Sequence, residues 1–249
     1  MRTVITDENI KDLVKFYIED KTQLPEDLQD KPIGEWVVKR VTDMSKLFKN
    51  RSTFNEDINN WNVSNVTNMF GMFSGCTAFN QQLDEWNVRK VENMQEMFLG
   101  CREFNQPLFK NVKNVEQMFG MFSGCVEFNQ DLSKWNISNV KDMGHMFEDC
   151  RSLKDVPVWT PTKGTNVDFM FRGTDFAGLI PQEVLRSRKT SDSRKTRKTP
   201  SRSPAKPQPK FPLASPIAWP SEFKRRQAMV QKGFEGGRNK TQRRKTQKR

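Results

Sequence analysis

The feature that most constrains the fold of this chain is an internal repeat with a period of 24 to 25 residues. A pair made of an aliphatic residue and Phe recurs six times at this period, with first members Leu47, Met72, Met97, Met121, Met146 and Met170. A unit this short cannot bury its apolar side alone. The fixed period therefore predicts units stacked on one another around a shared core.

Further positions keep the same register. Another apolar residue stands three places before each pair, at Met44, Met69, Met94, Met118, Met143 and Val167. Phe109 stands near the start of a shortened unit, where the other units have Trp36, Trp61, Trp86 and Trp135. Three pairs are followed by a Cys and then by Phe-Asn, at Cys76, Cys101 and Cys125. We therefore predict a repeat solenoid over residues 36–176, with about six coils.

Equivalent side chains of such coils are expected to align as ladders in the core. The predicted structural ladder consists of Phe48, Phe73, Phe98, Phe122, Phe147, Cys76, Cys101, Cys125 and Cys150. The Asn after Phe is expected to form an amide ladder at a bend. A short parallel strand is predicted near residues 79–83. The apolar residues spaced by three before Met-Phe predict a helical or 3-10 turn.

The two ends of the chain differ from the repeat. Residues 1–35 are predicted to form an N-terminal helical cap on the first coil, because residues 7–19 have apolar side chains at helical spacing. Thr6 or Asp7 is a suitable N-cap residue for this helix. Docking of a partner is the alternative role for that helix. Residues 177–185 are expected to close the stack, and residues 186–249 to form a disordered basic tail.

Charge separates the tail from the body. The tail has 21 Lys or Arg and 3 Asp or Glu, whereas residues 1–185 have 21 and 27. Such a tail suits nucleic acid or another acidic partner. The candidate nucleic-acid contacts are Arg194, Lys195, Arg197, Lys198, Arg243, Arg244 and Lys245. An apolar island within the tail is a docking motif, an incidental patch or a segment that packs on the solenoid; it consists of Phe211, Leu213, Ile217, Trp219 and Phe223.

The chemistry-bearing residues argue against catalysis. The four Cys are one repeat apart, a spacing that favours a column of buried thiols over a zinc site, with a disulfide between neighbouring coils as the alternative. His145 is the one histidine of the chain, and no phosphate loop or dinucleotide fingerprint occurs. We therefore expect no enzyme activity, no metal and no cofactor.

Protein binding is expected to use the variable positions, since the ladder positions are occupied in the core. The candidate protein-binding face is polar and partly acidic. It consists of Glu56, Asp57, Gln81, Gln82, Asp84, Glu85, Gln106, Gln130 and Asp131. The alternative is that these side chains are simply exposed.

Three motifs resemble a known family: Trp61-Asn-Val-Ser, Met72-Phe-Ser-Gly-Cys76 and Phe79-Asn-Gln. They are similar to the BspA-type leucine-rich-repeat-like family in its mycoplasma-type variant, which also occurs in large DNA viruses. The resemblance implies a leucine-rich-repeat-like solenoid with a role in adhesion or protein binding. The Lys/Arg/Thr-rich end resembles tails of large-virus proteins.

These observations predict a non-enzymatic interaction scaffold whose basic tail binds nucleic acid or another acidic partner. The alternatives are a structural component of a viral particle or matrix, and a surface adhesin. The N-terminus has no apolar leader, and no stretch of about 18 apolar residues is present. The expected location is the cytoplasm, the nucleus or a virion. The protein partner and the oligomeric state are left open.

Overall fold

A computed structural model describes residues 2–157, 159 and 161–177 of the chain. Four short helical segments precede the repeats: helix α1 at Ile10–Glu19, a 3-10 turn at Lys21–Gln23, helix α2 at Glu26–Gln29 and a 3-10 turn at Ile33–Glu35. Apart from Ala177, the predicted closing segment lies outside the described residues, as does the tail. Among the described residues, no helix is long and apolar enough to cross a membrane.

Helix α1 lies along the first coil. It buries Ile10, Leu13, Val14 and Tyr17. It begins at Ile10 rather than at residue 7, and neither Thr6 nor Asp7 is its N-cap, which is Asn9. Our predicted helix start was therefore wrong.

The Asp7 carboxylate accepts hydrogen bonds from the backbone N–H groups of Thr42 and Asp43 at 2.7 and 3.0 Å. In the next coil, the N–H of Thr67 donates to the carbonyl of Thr42 at 2.8 Å. Asp7 thus supplies the acceptor that a preceding coil would have offered, which explains why this residue is used outside the helix.

The repeats contact one another through a row of backbone hydrogen bonds. In the first coil, N–H groups of every second residue from Met44 to Asn50 donate to the carbonyls of Asn68, Phe70, Met72 and Ser74 at 2.7 to 2.9 Å. The same pattern joins each later coil to the next. One parallel bridge forms per coil at this row, through Asp43, Asn68, Asn93, Gln117, Asp142 and Asn166.

The short strand predicted near residues 79–83 is not formed. In that stretch, Leu83 makes a single isolated parallel bridge with Leu108, and residues 79–82 have no regular secondary structure. Elsewhere in each coil, two positions have a positive φ angle, a conformation that turns the chain and does not occur in a regular strand. The first position contains Lys46, Gly71, Glu96, Gly120, His145 and Phe169. The second contains Asn50, Gly75, Gly100, Gly124, Asp149 and Gly173.

Aromatic rings fill the centre of the stack. The rings of Phe48, Phe73 and Phe98 are stacked with centroids 5.4 and 5.5 Å apart. This column continues at 5.5 to 5.7 Å through Phe122, Phe147 and Phe171. The Phe that precedes Asn packs beside it, at 4.1 Å for Phe79 against Phe73. These rings place one coil directly on the next.

The indole N–H groups join the coils at a second place. Trp61 donates to the carbonyl of Ile33 at 2.7 Å, and Trp86 donates to the carbonyl of Ile58 at 3.1 Å. Trp159, which was not among the predicted repeat positions, stacks on Trp135 at 6.4 Å and donates to Leu132. The buried indole N–H of Trp36 has no acceptor among the described residues, as expected for a coil with no coil before it.

Candidate binding face

The predicted binding face lies along one bend of the coils, beside the Asn ladder. Each Asn side chain accepts a hydrogen bond from the backbone N–H of the next one, at 2.8 Å for Asn55 and Asn80 and at 3.0 Å for Asn80 and Asn105. The contacts continue at 2.9 Å through Asn129 to the N–H of Lys154. This row fixes the bend, so residues next to it keep a constant place from coil to coil.

Two of the predicted face residues hold this row together. The Gln81 amide donates to the carbonyl of Asn55 at 2.9 Å and to its side-chain oxygen at 3.2 Å. The Gln130 amide makes the same pair of bonds to Asn105, both at 2.8 Å. Their amides are therefore committed to the fold.

Three predicted acidic residues accept hydrogen bonds, two within local turns and one between two coils. Asp57 accepts from the N–H of Asn59 at 2.9 Å, and Asp131 accepts from the N–H of Ser133 at 2.8 Å. Hydrogen bonds from Ser133 bring the pKa of Asp131 below its ordinary value. Asp84 accepts from the Asn59 amide at 3.2 Å. The rest of the predicted set, Glu56, Gln82, Glu85 and Gln106, makes no side-chain hydrogen bond within the described part of the chain.

A second surface, which the sequence did not predict, is an open groove of about 380 Å³ on another side of the coils. We call it the groove. It is lined by Thr67, Lys90, Glu92, Asn114, Glu116 and Asn139. These residues come from two neighbouring columns, each with one member per coil. Lys90 donates to the Asn65 side chain at 2.8 Å, and Lys141 pairs with Glu116 at 2.5 Å.

The third surface is an aromatic patch at the end of the described stack. The His145 ring lies 5.1 Å from both Phe119 and Phe169. Phe169 is 59% exposed. It has a φ of 56°, a conformation that bulky residues rarely adopt. Equivalent coils place Gly71 and Gly120 at this position.

Glu148 connects the last two described coils beneath this patch. Its carboxylate accepts from His145 Nδ1 at 2.5 Å and also pairs with the Arg172 guanidinium. Burial raises the pKa of Glu148, but the hydrogen bonds from His145 and Arg172 outweigh it and bring the pKa below its ordinary value. The charged carboxylate is therefore a structural link, and it engages the one imidazole of the chain.

The four Cys form a buried column in the core. Each thiol donates to the carbonyl of the Phe one coil earlier, at 2.9 Å for Cys76 to Phe48 and at 3.1 Å for Cys101 to Phe73. Burial raises the pKa of Cys76 and of Cys150 to about 12. All four are free thiols. In the described part of the chain, no group of three or more His, Cys, Asp or Glu is placed to hold a metal ion.

The seven candidate nucleic-acid contacts lie outside the described residues. The structure therefore brings together the bend residues and two further surfaces, but none of the tail. The groove shows a signal that sequence reasoning could have used, since its residues follow the 24 to 25-residue period beside the buried Val column. The aromatic patch has no such signal, because the position of His145 and Phe169 is Lys46, Gly71, Glu96 or Gly120 in the other coils.

The repeat is shared with other proteins. A family model described as a mycoplasma protein of unknown function, DUF285, matches residues 18–111 and again residues 109–182. Neither a curated protein nor a solved structure matches the chain. The matches begin inside helix α1 and span all six coils.

Proposed function

The chain belongs to the DUF285 family of mycoplasma-type repeat proteins, and we propose that it is a non-enzymatic scaffold that binds another protein. In this proposal the coils form a leucine-rich-repeat-like solenoid of the BspA type. The basic tail adds affinity for nucleic acid or another acidic partner. The body presents a repeated surface, and the tail supplies charge.

One observation supports the scaffold above all: the exposed columns keep the register of the core but not its uniformity. The inward position is Phe in every coil from Phe48 to Phe171. The column that contains Thr67, Glu92, Glu116 and Lys141 changes from neutral to acidic to basic along the coils and is solvent-accessible. A solenoid that holds different side chains at fixed spacing suits recognition of an extended partner surface.

The state of the nucleophiles supports a role without catalysis. A thiol must ionise to act as a nucleophile, and burial raises the pKa of Cys101 and Cys125 well above the ordinary value. The imidazole of His145 is engaged with Glu148 and lies between two phenyl rings.

Two matched variants of the full chain test the scaffold. Each reverses two acidic side chains: Glu92→Lys with Glu116→Lys in the groove, or Glu56→Lys with Glu85→Lys on the predicted bend face. Affinity capture with quantitative mass spectrometry would compare the bound proteins with those of the unaltered chain. We expect one variant to lose its specific partners and the other to keep them. Identical partner sets for all three proteins would contradict a scaffold that uses either face.

The tail is tested by a gel shift with a duplex of arbitrary sequence. Replacing the seven candidate tail residues with Gln is expected to weaken binding and reduce its dependence on salt, because fewer contacts release fewer counterions. The matched control replaces seven exposed body residues: Lys39, Arg40, Arg89, Lys90, Lys110, Lys113 and Lys134. An equal loss for the control would show that the tail is not the contact.

A further inference from the structure

The groove lies where a repeated ion pair between coils is interrupted. Glu92, Glu116 and Lys141 occupy one position of successive coils. The backbone N–H of Glu116 donates to the carbonyl of Glu92, and that of Lys141 donates to the carbonyl of Glu116, both at 2.8 Å. The Lys141 ammonium also pairs with the Glu116 carboxylate at 2.5 Å. One coil earlier, Glu92 is followed by a second carboxylate instead of a lysine.

The neighbouring column is interrupted in the same way. Lys90 donates to the side-chain oxygen of Asn65, one coil earlier, at 2.8 Å. Asn114 is the next asparagine of this column, and it is followed by Asn139 instead of a lysine. The Asn114 amide donates to the carbonyl of Arg89 at 2.7 Å. An amide donates only through its nitrogen, so the side-chain oxygen of Asn114 remains available as an acceptor.

Both interruptions meet in the groove, which Glu92 and Asn114 line together. The groove's own donors are engaged within the fold. The Thr67 hydroxyl donates to a carbonyl of the preceding coil at 3.3 Å, and the Asn139 amide does the same at 2.9 Å. The acceptors of Glu92 and Asn114 are not filled by any side chain within the described coils. A groove with open acceptors, one of them charged, suits a cation that has several N–H donors.

We propose that the groove binds a lysine or arginine side chain of a partner protein. This inference rests on the proposed scaffold function and names the chemistry of the partner at this face. The cation lies beside the carboxylates of Glu92 and Glu116 and donates to the side-chain oxygen of Asn114. It takes the place that Lys141 and Lys90 have against the acceptors of the adjacent coils.

The charges around the groove select a single cation. Arg89 and Lys113 are exposed and directly precede groove residues in the chain. They repel a run of positive charge, so a partner segment with one Lys or Arg among uncharged or acidic residues fits best. An anionic ligand fits less well, because it would meet the carboxylates of Glu92 and Glu116, and like charges brought together at an interface weaken binding.

An NMR titration of the full chain with N-acetyl-lysine amide tests the proposal. The matched probe is N-acetyl-norleucine amide, which has the same aliphatic chain without the charge. We expect the lysine probe to shift the amide resonances of Glu92, Asn114 and Glu116 in a saturable way, and the norleucine probe to leave them unchanged. Equal shifts with both probes, or shifts confined to other faces of the stack, would contradict the proposal.

Asn139→Lys fills the groove from within the chain. Its ammonium would stand one coil after Asn114, as Lys90 stands after Asn65, so it should weaken binding of the lysine probe about tenfold. The control Ser138→Lys adds the same charge at the exposed adjacent position and should weaken binding by less than about threefold. Equal losses in both variants would show a response to net charge alone and would overturn the proposal.

Glu92→Gln keeps the test decisive if Asn139→Lys unfolds, because it removes the charge and nearly preserves the shape. Undiminished affinity of that variant for the lysine probe would overturn the proposal.

The results for the cation and for the scaffold are distinguishable. If the lysine probe does not bind the groove but Glu92→Lys with Glu116→Lys still loses its captured partners, this inference is wrong and the scaffold function stands. If the lysine probe binds the groove but neither pair of Glu→Lys changes alters the captured proteins, the groove is a cation site and the scaffold function is wrong.

Discussion

The inner and outer columns of the stack share one period but differ in what they tolerate. Inward positions repeat the same residue types, such as the Phe and Cys columns, and most are 0% exposed. Outward positions at the same spacing include Thr67, Glu92 and Glu116. This difference shows that packing of the inward-facing side chains sets the register, while the residues at outward-facing positions are free to vary. A binding function would use the variable outward-facing positions. Substitutions in each column measure how differently the inner and outer positions contribute to stability.

The largest contrast is expected between Phe98 and Glu92. Phe98→Ala should lower the free energy of unfolding by about 3 to 5 kcal/mol, because it leaves a cavity in the centre of the stack. Glu92→Ala lies on the surface and should change it by less than about 0.5 kcal/mol. Urea titration of both variants measures the difference. Similar losses for the two would mean that inner and outer columns are not distinct.

A smaller contrast is expected between two neighbours at the bend. The Asn105 oxygen accepts from the Asn129 N–H at 2.9 Å and from the Gln130 amide at 2.8 Å. Asn105→Ala leaves these donors unpaired and should cost about 1 to 2 kcal/mol. Gln106→Ala is the control and should be near neutral. If thermal unfolding shows Gln106→Ala to be the more damaging, the amide ladder does not fix the bend.

Asp7 is expected to show how the first coil is closed. Burial raises the pKa of Asp7, but hydrogen bonds from Thr42 and Asp43 outweigh it, so the net pKa lies below the ordinary value. The ionised Asp7 carboxylate therefore stabilises the fold at pH values above its ordinary pKa. This stabilisation is lost as the pH falls through the lowered pKa. Asp7→Ala should cost about 1 kcal/mol at neutral pH, as loss of a helix cap does.

The matched control for that prediction is Glu8→Ala, which removes an exposed neighbouring carboxylate. Acid titration of unfolding should show a smaller loss of stability below about pH 4 in Asp7→Ala than in the control. Identical acid profiles would contradict the assigned role of Asp7.

The smallest effect is expected at the positive-φ column. Glu96 has a φ of 54°, at a position where two other coils have Gly71 and Gly120. Glu96→Gly should stabilise the chain by about 0.5 to 1 kcal/mol, and the reverse change Gly71→Glu should destabilise it by about 1 kcal/mol. If the melting temperatures of both variants shift in the same direction, backbone strain does not determine which residues are favourable at this position.

The sequence predicted the period and the family resemblance because identical residues repeat at fixed spacing. It did not predict the role of Asp7. A carboxylate that accepts the hydrogen bonds a preceding coil would have accepted has the same sequence pattern as a helix-capping residue. It also placed a strand near residues 79–83, the Phe-Asn-Gln-Gln-Leu run, where the structure has only an isolated bridge at Leu83. The positive-φ positions are occupied by Lys46 and Glu96 as well as by glycine, so composition alone does not reveal them. The aromatic patch depends on Phe169 at such a position and was missed for the same reason.

The most direct test of the stack measures distance along one outer column. Spin labels would be placed at Arg40 and, in separate variants, at Lys90, Asn114 or Asn139, which lie two, three and four coils away. The native thiols are buried and should resist labelling. Stacked coils predict that the label separation grows by about 4.8 Å with each added coil. A separation that does not increase in equal steps would contradict coils lying one on another.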